Sequence, residues 1–385
     1  MSYKSNITKF YFFRILSALE FTIAIYVLFM LSNHLSMFQV MVLETICMVT
    51  VLFLEVPSGI FADFYGRKTA ISISILAACI GFIIFGLGST FWVFLIAQLL
   101  FSIGWAFESG ADMAFIYDSL KEDNKQKDFD KVYGKINFFS HTTWSITAII
   151  SGILATILNY RILFFFTATV FFIAFILSLT FKEPPIHKKI TDKKYFQHLK
   201  EASKFAYNHK IVKNLIIYYA LFAALTHLMW YVLQPYFATI SEFMIGIGSF
   251  FYFSFAGIGS LIANKVISRF KDKQIVVGTL ILVAISFILL FFTNKWIALI
   301  VIAFMSLFSG IRDIFVSKGI HDHTDSKHRA TVGSIQSFSK SILYAIFAPL
   351  LGYFMDIFTA NAAFLLMGIS LAIFGIYNWI FFKNT

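Results

Sequence analysis

Charge is scarce in this sequence: Asp, Glu, Lys and Arg make up 13% of its 385 residues, about half the share in water-soluble domains. That scarcity excludes a soluble enzyme and a disordered regulator. Cysteine is nearly absent. Cys47 and Cys79 both lie in apolar runs, so no disulfide framework exists beyond a single pair, and nothing points to an oxidising compartment. No small-residue cleavage site follows the apolar stretch behind Lys4 and Lys9, which reads as a retained first helix and not a signal peptide. The polar connections hold no serine elbow, phosphate loop or paired catalytic carboxylates, so the chain is expected not to be an enzyme and to carry no cofactor.

Apolar residues fill that space. They make up 59% of the chain, with 50 Phe, and the mean hydropathy is +0.80. A bilayer-spanning helix needs about 20 mostly apolar residues. The apolar runs predict twelve such spans, at roughly 10–31, 38–61, 69–88, 91–119, 132–158, 162–181, 211–239, 244–266, 275–293, 296–320, 330–358 and 361–382. Between the sixth and seventh, Lys182 to Lys210 is too polar to span, and its stretch from about Gln197 to Asn208 reads as a surface helix. The expectation is an all-α membrane protein with twelve transmembrane helices in two six-helix bundles. Residues 1–181 and 211–385 form the bundles, and 182–210 forms a cytoplasmic linker.

The net charge of +11 is explained by topology. With the N-terminus inside, only Arg161 and Lys295 fall in outer loops, while Lys121, Lys125, Lys127, Lys131, the linker, Arg269, Lys271 and Lys273 fall inside. That asymmetry obeys the positive-inside rule and puts both termini in the cytoplasm. A basic surface beside anionic lipid requires no nucleic acid. The halves also repeat. Ser109-Gly110-Ala111-Asp112 in the fourth span answers Ser309-Gly310-Ile311-Arg312-Asp313 in the tenth, and Ile60-Phe61-Ala62-Asp63 answers Leu261-Ile262-Ala263-Asn264. A duplicated six-helix unit is the plan of many transporters.

At the end of the second span stands Gly59-Ile60-Phe61-Ala62-Asp63-Phe64-Tyr65-Gly66-Arg67-Lys68. Gly59 permits close helix approach and Gly66 a tight turn. Asp63 can cap a neighbouring helix N-terminus, and Arg67 and Lys68 add inside charge. This string closely resembles the loop signature between helices two and three of the major facilitator superfamily, and Glu55-Val56-Pro57-Ser58 resembles the sequence just upstream of it in bacterial members. The resemblance implies two six-helix bundles around a central cavity, rocking to expose one site to each side in turn. It implies that Asp63 contacts the start of helix eleven and that Arg67 pairs with Asp118 at the end of helix four. Phe64 stands where the family usually has a basic residue. The second-half copy has Ser260 for glycine and Asn264 for the acid, so the latch is expected mostly in the first half. Ser151-Gly152-Ile153-Leu154-Ala155 lacks the proline of many drug antiporters. Lys182-Glu183-Pro184-Pro185 matches the sugar-porter motif only faintly, and no subfamily follows.

Charge inside a span costs about 2.5–3.5 kcal/mol and normally faces a cavity. The third, sixth, ninth and twelfth spans carry none, whereas Arg14, Glu20, Glu44, Glu55, Glu108, Asp112, Arg312, Asp313, Lys318 and Lys340 sit on the first, second, fourth, tenth and eleventh. Glu20 lies about ten residues into its helix, near the midplane at about 1.5 Å per residue, and is the leading proton-coupling candidate. Glu108 and Asp112, at i,i+4 on one helix face, either titrate together or form fixed ion pairs with Arg14. Arg312 and Lys340 either bind an anionic substrate or neutralise Glu20 and Asp313. His141, His227, Gln234 and Asp313 complete the candidate cavity, with Trp230 and Tyr231 nearby. His321-Asp322-His323, Asp325 and His328 have metal-ligand residue types, but no His pair at i,i+4, so no metal is expected.

These readings converge on a secondary active transporter in a bacterial-type cytoplasmic membrane, acting as a monomer on a small molecule, with protons as the coupling ion. Proton-coupled export of an amphipathic or drug-like compound is the first expectation, and uptake of a small anionic metabolite the second. A membrane-embedded enzyme or lipid-handling protein is the rival of a different class.

Overall fold

The computed structural model describes residues 3–185, 206–324 and 329–383. Every regular element among them is helical. The chain runs α1 (Lys4–Ala18), α2 (Tyr26–Ser32), α3 (Met37–Tyr65), α4 (Arg67–Leu87), α5 (Phe91–Glu108), α6 (Ala111–Glu122), α7 (Phe129–Ile157) and α8 (Tyr160–Leu179). It continues with α9 (Lys210–Ala238), α10 (Glu242–Ile267), α11 (Asp272–Phe292), α12 (Lys295–Asp322), α13 (Arg329–Ile357) and α14 (Ala360–Lys383). Among the described residues, eleven spans are long and apolar enough to cross a membrane, counting α5 with α6 as one. Most boundaries lie within a few residues of those read from hydropathy. Local chemistry sets several starts. Ser36 and Gln39 form a capping box on α3, Asn159 caps α8 through the Arg161 N–H at 2.9 Å, and Asn294 caps α12 through the Trp296 and Ile297 N–H groups.

Two expected spans are corrected. The first is not one helix over 10–31 but α1 and α2, with residues 19–20 irregular and 21–25 in turns between them. The fourth is not continuous over 91–119 but breaks at Ser109-Gly110, where Gly110 takes φ +77°. A spanning helix normally satisfies its backbone internally, and breaks survive where neighbouring side chains take over the freed groups. Here Ser151 of α7 accepts the Ala24 N–H at 3.2 Å and donates to the Phe21 carbonyl at 2.6 Å. Thr167 of α8 accepts the Phe21 N–H at 3.0 Å. Hydropathy averages over such a gap, because Leu19, Phe21, Ile23 and Ile25 keep it apolar. The helix expected from about Gln197 lies outside the described residues up to its last turn, 206–208, which is helical.

The chain divides into two compact units: Met1–Lys188 with Ile240–Phe250, and Lys189–Thr239 with Phe251–Thr385. In the first, α4 packs on α5 and α8, α3 on α5, and α1 on α7 and α8. Phe85 is its aromatic hub, with the rings of Phe94 at 4.7 Å, Phe164 at 4.9 Å and Tyr26 at 5.0 Å. Such pairs add roughly 0.5–1.5 kcal/mol each beyond burial. Also within this unit, the start of α10 packs on α7 so closely that a Cβ on Gly246 would lie 2.5 Å from the Ala148 carbonyl oxygen. In the second unit, α11 packs on α14 and α12, and α9 on α12, α13 and α14. Large apolar side chains such as Trp92, Phe292 and Ile373 stand more than half exposed, as a lipid-facing surface requires.

Candidate functional site

In the first unit, Glu20 lies in the break between α1 and α2. Its Oε1 accepts from the Thr22 hydroxyl at 3.1 Å, and no Lys or Arg of this unit pairs with it among the described residues. Glu20 feels the charge of Glu44 on α3. Glu44 is 1% exposed, and one of its oxygens accepts from the Tyr26 hydroxyl at 2.9 Å and from the Gln98 amide at 2.6 Å. The sequence marks Glu44 only as an intramembrane acid; its donors come from α2 and α5, and nothing local in sequence announces them.

Arg14 of α1 ion-pairs with Glu108 and also feels the charge of Asp112. The fixed-pair alternative for Glu108 is therefore the observed geometry. Asp112 does not share a helix face with Glu108, because the chain turns at Gly110 between them. It sits instead in the first turn of α6, accepting the Met113 N–H at 2.6 Å. The i,i+4 reading fails for that physical reason, although one arginine still lies beside both acids. His141 is exposed on α7, 5.5 Å ring to ring from Trp144.

At the junction of α3 and α4, Gly66 takes φ +101°. Arg67 pairs with Asp118 of α6 and donates to the Ala114 carbonyl at 3.2 Å. Asp63 is exposed and lies near enough to Arg67 to feel its charge. The cap of α4 is another acid: Glu183 accepts the Arg67 N–H and the Lys68 N–H, each at 2.8 Å. Burial pushes the Glu183 carboxyl above the usual carboxylate range, opposed by those two bonds and by the Arg67 and Lys68 charges. In the sequence, Glu183 stands out only within Lys182-Glu183-Pro184-Pro185. Its signal was an acid just past a span, facing a helix N-terminus without a side-chain cap of its own. The close approach expected at Gly59 is not made, since a Cβ there meets nothing within 4 Å. The buried neighbour Ser58 bridges α3 and α5 instead, donating to the Ala106 carbonyl at 2.7 Å.

In the second unit, α9, α12 and α13 bring Thr226, His227, Arg312, Asp313 and Lys340 together. Arg312 is 5% exposed. It donates to Asp313 at 2.8 and 3.1 Å and to the Thr226 hydroxyl at 2.9 Å. Its guanidinium lies 4.7 Å from the Phe222 ring and 5.4 Å from that of Tyr219. The rings of Tyr344 and Tyr231 lie 5.2 and 6.0 Å from His227. Gln234 is fully buried further along α9, beyond this cluster. His323 stands 2.8 Å from the Gly319 carbonyl, while Asp325 and His328 lie outside the described residues. The Lys68 backbone is engaged, as above.

The family model of the Major Facilitator Superfamily matches residues 10–239 and 215–385. The uncharacterized MFS-type transporter YxaM of Bacillus subtilis is 24% identical over 273 residues, 69% of this chain. The chain spans 66% of that protein's length. The crystal structure of the nucleoside transporter NupG is similar at a TM-score of 0.79 with 13% identity, over 98% of this chain and 99% of that one. A POT family transporter solved with a thioalcohol-conjugated peptide gives 0.74 with 12% identity, over 99% and 96%. At such identities the likeness is one of fold.

Proposed function

The chain belongs to the Major Facilitator Superfamily and is a multi-pass secondary transporter, and from that premise we propose that it exports a small amphipathic compound across the cytoplasmic membrane by alternating access, in exchange for protons. Glu20 carries this reading. It is a carboxyl in a helix break of the first span, bonded to a neutral hydroxyl and free of any cation of its own unit among the described residues. An acid held without a counter-ion can take up and release a proton as its surroundings change, whereas Glu108 is tied to Arg14. Coupling requires that two states bind the proton with different affinity. The twinned acid Glu44 gives Glu20 a charge whose influence changes with any shift of α3 against the break.

The test is proton flux in liposomes containing the purified protein, followed by an internal pH dye as amphipathic compounds are added. Compound-dependent proton movement is expected. Glu20→Gln keeps the size and cannot titrate, so it should abolish uphill movement and leave downhill exchange. Normal accumulation by the Gln variant would remove Glu20 from the mechanism. A second reading, uptake of a small anionic metabolite, is favoured by the two cations Arg312 and Lys340 in one cluster. Opposite flux direction in right-side-out and inverted vesicles separates the two.

A further inference from the structure

We propose that the second unit binds the anionic group of an amphipathic organic acid, with Lys340 as its counter-ion, His227 as a hydrogen-bonding partner and the rings of Tyr231 and Tyr344 as the apolar wall. The proposal deepens the transporter reading and rests on it, by naming the class of compound carried.

Arg312 looks like the stronger anion ligand by type, but each of its three nitrogens already donates within the protein. Nε and Nη2 both donate to the same Asp313 oxygen, and Nη1 donates to Thr226. Aromatic rings of Phe222 and Tyr219 flank the guanidinium. Arg312 and Asp313 together are neutral, and they form a positioning pair that holds Thr226 and hence the neighbouring His227 in register on α9. Lys340 is different. It is partly buried on α13, within electrostatic reach of Arg312, Asp313 and His227, yet it has no hydrogen bond or ion pair among the described residues. The cluster therefore holds one uncompensated positive charge inside a span, which is costly unless something neutralises it.

His227 supplies a second, independent sign. Its Nδ1 is buried with no hydrogen-bond partner. Buried polar atoms in folded proteins are nearly always satisfied, and an exception calls for an explanation. A carboxylate reaching Lys340 explains both, since it accepts from the ammonium and from an Nδ1–H. A cationic compound would meet like charge, and a neutral one would leave Lys340 as it is. The neighbouring rings, at 5.2 and 6.0 Å from the His227 ring, suit an apolar body attached to the acid. A small inorganic anion would not use them.

The experiment is thermal unfolding of the purified full chain in neutral detergent, with aryl and alkyl carboxylates, their amides, amines of the same skeletons, and sodium chloride. Carboxylates should raise the melting temperature, and amides, amines and chloride should not. Lys340→Gln should weaken the carboxylate response about tenfold or more, Lys340→Arg should keep most of it, and His227→Phe should lower it while the chain still elutes as a folded species. If Lys340→Gln fails to fold, the Arg and Phe variants decide. Equal stabilisation by acids and their amides, no stabilisation by any carboxylate, stabilisation by chloride alone, or an unchanged response in Lys340→Gln each overturns the proposal. The assay uses no proton gradient. Carboxylate binding without proton flux would overturn the coupling mechanism and leave this site standing.

Discussion

Removing the Glu183 carboxyl should loosen the junction of α3, α4 and α8 by a predictable amount. The perturbation is Glu183→Ala. It deletes two charge-assisted hydrogen bonds of 2.8 Å to the first N–H groups of α4, a helix whose N-terminus has no side-chain cap of its own. Losing a helix cap costs about 0.5–2 kcal/mol. With both N–H groups bonded and the site half-buried, the loss should fall in the upper half, at about 1–2 kcal/mol. Thermal unfolding in detergent reads this as a drop of about 2–4 °C per kcal/mol, taking the scale for domains of about 150–250 residues. A double-mutant cycle sharpens the test. A Cβ on Gly66 would lie 2.6 Å from Glu183 Oε2, so Gly66→Ala strains the turn and displaces the cap together. In the Glu183→Ala background only the strain remains, and the cost of Gly66→Ala should shrink. The pH dependence has a defined sign. Burial raises this carboxyl, so the folded chain binds its proton more tightly than the unfolded one. Stability then falls as pH rises from the ordinary carboxylate value through the raised one, and Glu183→Gln should flatten that slope. An Ala variant that melts with the wild type, or Gly66→Ala costs that are equal in both backgrounds, would refute the capping argument.

Arg14→Ala strips Glu108 of its cation in a partly buried site and should destabilise by up to about 3–5 kcal/mol, whereas replacing both residues by apolar ones should cost much less; unfolding of the single and double variants checks this. Arg67→Ala breaks the Arg67–Asp118 pair, which is as buried as the Arg14–Glu108 pair, and should destabilise by a comparable amount, up to about 3–5 kcal/mol; it should also change the ratio of access states, read by cysteine accessibility on the two sides of the membrane. Gly246→Ala forces α7 and the start of α10 apart and should cost about 1–3 kcal/mol, while Gly59→Ala, inside α3 with open space at its Cβ, should stabilise by about 0.5–1 kcal/mol.

Hydropathy located the spans because lipid exposure and helix length are both written into runs of one chain segment. It could not locate the breaks. The gap at residues 19–25 is closed by Ser151 and Thr167, residues distant in sequence and individually unremarkable on their own helices. The same limit separates Gly66 from Gly59. A positive φ at a helix junction follows from a local string, but close helix approach depends on what the facing helix presents, and Ser58 makes that contact instead. Arg14 and Glu108 were legible as partners because charge inside a span has few alternatives. The spacing of Glu108 and Asp112 was misread, since i,i+4 geometry holds only while the helix is unbroken. Glu183 escaped notice as a cap because its acceptors' partners lie 116 and 115 residues away.

The break in the first span also has a bearing on biogenesis. The carbonyl of Phe21 receives its hydrogen bond from a hydroxyl 130 residues further along the chain, and its N–H gives one to a hydroxyl 146 residues on. Until α7 and α8 have emerged from the ribosome and entered the bilayer, those backbone groups have no lasting partner in hydrocarbon. This segment is thus finished only by segments made well after it. It must wait at a hydrated or protein-lined site, beside the translocon and not in open lipid, until the fifth and sixth spans arrive to close it.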